Sequence, residues 1–379
     1  MTPPNTPRDS SAGRDRADAH QRPHGPDHRS PRRDERAARP PDARGPRPPR
    51  TPPPEHTPRP PRPPRALRHT PGYLRPTDVG LLLAQAESGA PPDLTDPRMV
   101  RYLLRKHGIA PNKRFGQHLL VDRVALDAVV DAADPQPGDQ VLEVGAGMGV
   151  LTVALAERVR RVVAVELERE ILPVLRETTG RFPGVEIIAR NLLAIEPAEL
   201  FGTAPYKLVA NLPYYITAPT LRHYLEASAP PTLLVVMVQK EVAQRLVAAG
   251  GDMSLLGLSV QFYGQPRIVR VVPAASFFPP PKVDSAIVRV DVHPTPPLDP
   301  ATRDVLFGIA HAGFAERRKQ LHNTLARNLR VPRLALDAWL AEANIHPARR
   351  AETLSVEDWV RLTRAAVRIS GEHPFPDPA

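Results

Sequence analysis

Short apolar runs recur from the middle of the chain onward, at residues 140–144, 161–165, 185–189, 208–210, 233–238, 269–272 and 286–292. Runs of this length, each stopped by Gly, Pro or a polar residue, read as strands buried on both faces, as in a parallel sheet. The first five alternate with helical patterns, among them 151–159 and a helix from Lys240 through Leu246, and the last two read as a closing pair of strands. Upstream, the pattern predicts a short helix over 78–87 closed by Gly89. It also predicts a helix over 98–107 that Asp96 and Pro97 begin and Gly108 ends. A turn over 113–120 then feeds an amphipathic helix, 121–133. After Pro294-Thr295-Pro296-Pro297 the pattern turns helical, with helices expected at 303–312, 334–343 and 356–369. Thr353 or Ser355 is placed to cap the last.

Composition changes this picture at the N-terminus. Residues 1–70 hold 16 Arg, no Lys, 8 acidic residues and 19 Pro, with few apolar side chains. Such a segment cannot bury enough surface to offset its ordering entropy, and disorder is expected. Its net charge of +8 accounts for most of the formal +10, so residues 71–379 carry only +2. A role in holding RNA phosphates through Arg competes with a plain solvated tail. The expected domains are thus a disordered tail (1–72), a sheet domain with a helical lead-in (73–293) and a helical domain (294–379). With no Cys in the chain, disulfides and thiolate metal sites are excluded. No metal site is expected elsewhere. The start of the chain lacks a signal-peptide pattern and no apolar run reaches membrane-spanning length, so a cytoplasmic protein without membrane contact is expected.

The most specific unit is strand 140–144, the loop Gly145-Ala146-Gly147-Met148-Gly149, a helix, and strand 161–165 ending at Glu166. This order is the nucleotide-binding half of a doubly wound sheet, in which glycines let the backbone approach the ligand. Glu166 lies 21 residues after Gly145, placed to accept from both ribose hydroxyls. Val150 stands where a dinucleotide fingerprint wants its third Gly, which favours a nucleoside without phosphates. S-adenosylmethionine fits. At the end of the third strand, Asn191 is placed to accept from the cofactor's adenine amine, with the Leu192 amide as a donor to a ring nitrogen.

The fourth strand ends in Asn211-Leu212-Pro213-Tyr214-Tyr215. Ligands of open α/β sheets bind outside the carboxyl ends of the strands. An amide acceptor beside a flat ring there suits a planar base with an exocyclic amine. Accepting both amine protons, at the Asn211 side-chain oxygen and the Leu212 carbonyl, would localise the nitrogen lone pair, with Tyr214 stacked on the base. The rival reading is a strand-end turn with a packed Tyr. Phe277, before the Pro279-Pro280-Pro281 run, is a candidate second wall for a flipped base, with core packing as its alternative. Between His311 and Arg333 lie six Lys/Arg and one acid, a local basic run that includes Arg317, Arg318 and Lys319.

Seven motifs now stand in order: 114–120, 143–147, 211–214, 239–242, 279–285, 317–319 and 349–355. In them the chain resembles the KsgA/RsmA-type ribosomal RNA small-subunit adenine dimethyltransferases, from about Lys113 to Val360. The resemblance implies a seven-stranded Rossmann-like class I methyltransferase domain with a small all-helical C-terminal domain. It implies two methyl transfers from S-adenosylmethionine to N6 of each of two adjacent adenosines near the small-subunit rRNA 3′ end. The partner is then the small ribosomal subunit with its rRNA, and the protein is expected to act as a monomer. By position, His118, Leu120, Gly145, Glu166, Asn191 and Asn211 match the family's cofactor contacts. His118 stands where Asn is usual, and Asn191 where Asp is usual. Asn191 can still accept through Oδ1, without charge-assisted strength.

Overall fold

The computed structural model describes residues 92–109, 118–316 and 318–375. The expected tail, the helix over 78–87, most of the turn at 113–120 and Arg317 lie outside the described residues. The first helix among the described residues, α1 (Pro97–Lys106), begins where the sequence places it, with the Asp96 side chain accepting from the Arg98 amide. A two-residue strand β1 (Leu119–Leu120) leads into α2 (Arg123–Ala133), whose N-cap is Asp122.

The sheet elements follow in βα alternation. They are β2 (Gln140–Val144), α3 (Val150–Ala156), β3 (Arg161–Val165), α4 (Leu172–Thr179), β4 (Val185–Ile188), α5 (Pro197–Phe201), β5 (Lys207–Asn211), α6 (Thr217–Leu225) and β6 (Leu233–Gln239). Then come α7 (Lys240–Leu246), α8 (Leu255–Tyr263), β7 (Gly264–Val272), a short β8 (Phe277–Phe278) and β9 (Ser285–Val292). Seven strands form one sheet in the order β4-β3-β2-β5-β6-β9-β7, with β9 antiparallel to both its neighbours. Chain order reverses between β2 and β5, so the crevice beyond their carboxyl ends is the expected ligand site.

Two features depart from the pattern reading. Strand β7 begins five residues earlier than expected, at Gly264, and runs through Pro266. Pro is tolerated there because β7 is an edge strand, and the irregularity between Ile268 and Arg270 is a bulge of the kind edges carry. The second is the small sheet in which β8 pairs antiparallel with β1, Leu120 facing Phe277. The Ser276 hydroxyl donates to Asp122 at 2.6 Å and the Val121 amide donates to the Ser276 carbonyl at 2.9 Å.

Helices α9 (Pro300–Phe314), α10 (Leu321–Leu329), α11 (Arg333–Glu342) and α12 (Val356–Ser370) complete the chain. Of the two candidate caps, Ser355 is the one used, in a capping box with Asp358. These helices bury Trp339 and Trp359 completely, in the same apolar cluster that covers one face of the sheet. Among the described residues no helix is long and apolar enough to cross a membrane, and no group of metal-ligating side chains is present.

Candidate functional site

A cavity of about 610 Å³ opens at the topological switch point, beyond the ends of β2, β3, β4 and β5. On one side of it runs the glycine loop after β2. Gly145, Gly147 and Gly149 all have positive φ, a backbone region L side chains avoid. At Gly149 space matters as well, since a Cβ would stand 2.9 Å from Thr178 Oγ1 and 3.0 Å from Leu175. That third glycine lets α3 pack against α4, while the first two shape the loop at the cavity.

Glu166, at the end of β3, is buried and locks this loop. One carboxylate oxygen accepts from the Gly147 amide at 2.8 Å and the other from the Glu168 amide at 2.9 Å. Each oxygen has a second lone pair, so the carboxylate that sequence spacing assigned to a diol also holds the loop that would receive it. Asn191 lines the cavity beyond β4, exposed, with Oδ1 accepting from the Leu193 amide at 3.1 Å.

The Asn211 motif forms the other side. The Asn211 side-chain amide donates to the His118 carbonyl at 3.1 Å, and among the described residues its Oδ1 is a free acceptor. The following Leu212 is buried, its amide donating to the Met237 carbonyl at 3.2 Å. The Tyr214 hydroxyl hydrogen-bonds Ser285 Oγ at 2.8 Å. Burial raises the Tyr214 hydroxyl pKa and the Ser285 bond partly offsets the rise. The His118 ring lies 5.7 Å from the Tyr214 ring at 31°, with Nδ1 on the Pro279 carbonyl at 2.7 Å. His118, Leu120, Gly145, Glu166, Asn191, Asn211, Leu212 and Tyr214 thus all border one cavity.

Phe277 does not. It is 3% exposed and packs in the core with Leu120, Val129 and Ile287, so its reading as a base-stacking wall is corrected to core packing. The physical reason is the β1–β8 pairing, which turns this ring inward. Of the basic run, Arg318 and Lys319 are exposed between α9 and α10.

Four contributors were missed by sequence reasoning. Ser285 fixes the Tyr214 hydroxyl, and Leu94 with Val100 of α1 wall the cavity from the N-terminal side. The fourth, Glu143, did carry a signal: a carboxylate flanked by Leu142 and Val144 in a buried strand. It borders the cavity, is 2% exposed, and its Oε2 has no hydrogen-bond partner among the described residues. Burial pushes its carboxyl up to about 8; the nearby Glu166 carboxylate adds to this and Thr152 opposes it. A neutral Glu143 is therefore the resting form at pH 7.

The stability consequence has a definite sign. The folded state holds this proton up to about pH 8 whereas the unfolded chain loses it near 4.5. The contribution is full below 4.5 and is lost as pH rises through about 8, by at most roughly 1.4 kcal/mol per pH unit. Glu143→Gln should therefore gain thermal stability relative to the wild type between pH 5 and 9. Parallel melting curves across that range would show Glu143 to be ionised in the fold.

Chemically, the cavity offers the Glu166 carboxylate, the buried Glu143 carboxyl, a glycine loop and an amide oxygen beside a tyrosine ring. These fit an adenosine-bearing cofactor: Glu166 retains lone pairs for a diol, and Glu143 Oε2 is left for a polar group of the ligand. The comparisons with known proteins point the same way. The family model described as ribosomal RNA adenine dimethylase matches residues 109–366. The chain is 48% identical to the ribosomal RNA small subunit methyltransferase A of Dehalococcoides mccartyi (strain 195), over 69% of this chain and 90% of that protein. It is 37% identical to the protein of that name from Alkaliphilus metalliredigens, over 72% and 97%. Among solved structures it is similar to the 23S rRNA methyltransferase ErmE (TM-score 0.54, 28% identity, 65% of this chain and 98% of that one). It is also similar to a dimethyladenosine transferase from Plasmodium falciparum (TM-score 0.55, 25% identity, 65% and 96%).

Proposed function

The chain belongs to the ribosomal RNA adenine dimethylase family, and from that premise we propose that its cofactor is S-adenosylmethionine and its substrate the small-subunit (16S) rRNA. Two methyl groups go to N6 of each of two adjacent adenosines near the 3′ end, during ribosome biogenesis in the cytoplasm. The observation that carries this reading is the convergence on one cavity of the free Asn211 Oδ1, the Tyr214 ring and the Glu166 carboxylate.

When bound, the cofactor supplies an electrophilic methyl on a sulfonium. Glu166 would hold its ribose hydroxyls, Asn191 would accept from its adenine amine, and His118, Leu120 and Gly145 would border it. The adenine N6 amine of the RNA is a poor nucleophile, because its lone pair is delocalised into the ring. Asn211 Oδ1 and the Leu212 carbonyl accept its two N–H protons and localise that pair toward the methyl. Tyr214 stacks on the base and offsets the cost of taking it out of its helix. Alignment of nucleophile and methyl supplies much of the rate. No general base is required: the N6 ammonium is strongly acidic and loses its proton to water or a backbone carbonyl.

Arg317, Arg318 and Lys319 are assigned to rRNA phosphates. Replacing all three should flatten the salt dependence of small-subunit binding, by roughly 0.7–0.9 in the log–log slope for each phosphate no longer neutralised, with cofactor affinity unchanged. A wild-type slope would make the run a solvated face.

The likeness to a 23S rRNA methyltransferase makes the large-subunit rRNA the specific rival. Mass spectrometry of both rRNAs, from cells with and without the gene, decides between them. The expected result is loss of two adjacent dimethyladenosines from 16S rRNA alone; loss from 23S rRNA would overturn the small-subunit assignment.

A further inference from the structure

Tyr215 has no task in the chemistry above, yet it stands at the mouth of the cavity with 63% of its surface exposed. Among the exposed large apolar side chains of the described residues it is the one aromatic. Its backbone is firmly held. Residues Tyr214–Ile216 form a 3₁₀ turn in which the Ile216 amide donates to the Pro213 carbonyl at 3.1 Å. The Thr220 hydroxyl donates to the Ile216 carbonyl at 2.7 Å, joining the turn to α6. A flat ring left in water on a held turn at the rim of a pocket presents a face on which a base can stack.

The turn also separates the two tyrosines. Successive residues of a 3₁₀ helix project about 120° apart. Tyr214 is half-buried and turned inward, its hydroxyl on Ser285, whereas Tyr215 faces out. One base cannot stack on both rings. With Phe277 buried in the core, Tyr215 is the exposed aromatic left at this rim.

We propose that Tyr215 forms a second nucleobase subsite at the mouth of the cavity, a stacking platform for the base that neighbours the target adenine in the RNA strand. This rests on the reading that the substrate is an RNA adenine. It gives a physical reason for action on consecutive nucleotides: while one base occupies the cavity, its neighbour is held outside, one ring further along the same turn. Stacking is tolerant of base identity, so the platform serves either adenosine of the pair.

Single-turnover methylation of unmethylated small subunits, at saturating cofactor and varied subunit concentration, tests this. Tyr215→Ala should raise the half-saturating subunit concentration by roughly 5- to 150-fold, the range expected for removal of one base–aromatic stack. The limiting rate should change far less, and Tyr215→Phe should restore affinity to within about twofold. Tyr214→Ala run beside it should instead lower the limiting rate. Calorimetric affinity for S-adenosylmethionine and the melting temperature should match the wild type in Tyr215→Ala. An unchanged half-saturating concentration overturns the subsite, as does a weakening that Tyr215→Phe does not restore. A fall in cofactor affinity or melting temperature that accounts for the whole effect does the same. A wild-type enzyme that leaves these subunits unmethylated would overturn the parent assignment instead, and the two failures are distinguishable.

Discussion

Asn211→Ala is expected to lower the single-turnover methylation rate by roughly 10²- to 10³-fold at saturating RNA and cofactor, with RNA affinity little changed. The side chain is held for this role from behind. Its amide donates to the His118 carbonyl, so the oxygen facing the cavity is set before substrate arrives and needs no reorganisation during the reaction. An acceptor on the target amine matters most as the new N–C bond forms and the nitrogen becomes positive, so its removal falls on the chemical step more than on binding. Asn211→Asp is informative beside it. A carboxylate keeps an acceptor toward the amine but places a second one against the His118 carbonyl, which no longer has a donor to accept from. That variant should retain part of the rate and lose stability. A near-normal rate in Asn211→Ala would remove this residue from the chemistry.

The second large effect is expected at Glu166. Glu166→Ala should weaken S-adenosylmethionine binding by tenfold or more, measured by calorimetry. Hydrogen bonds to charged groups are worth about 1.5–3 kcal/mol each, and the carboxylate is assigned two to the ribose. The structure adds an effect that spacing alone did not suggest. Glu166 also accepts from the Gly147 and Glu168 amides, so its removal frees the glycine loop. Melting temperature of the free protein should therefore fall along with affinity. Glu166→Gln does not escape this, because its NH₂ would face one of those two amide donors. Unchanged affinity in Glu166→Ala would exclude Glu166 from the cofactor site.

Much of this site is readable in the chain because local physics governs it. The β2 run, the glycines after it and the acid ending β3 form one contiguous unit whose strand-loop-helix-strand order has few alternatives. The apolar run stopped at Asn211-Leu212-Pro213 likewise places that motif at a strand end. Even the edge strand β7 was half visible, its start hidden by Pro266, which a central strand would not accept but an edge does.

Tertiary structure decided what depends on partners distant in sequence. Phe277 and Phe278 are adjacent identical residues, and the sequence has no means to say which faces inward. The pairing of β8 with β1, across more than a hundred and fifty residues, sends Phe277 into the core. The same long-range closure brings Ser285 to the Tyr214 hydroxyl and the His118 carbonyl to Asn211. It also buries Glu143 with Oε2 unpartnered among the described residues and leaves Tyr215 in water. The main strands of the large sheet and the motifs at their ends are legible in the chain, because periodicity, glycine conformation and strand termination act within a few residues. Burial, the choice between two neighbouring rings and the charge state of a carboxyl belong to the assembled fold, since each is set by atoms that meet only when the sheet has closed.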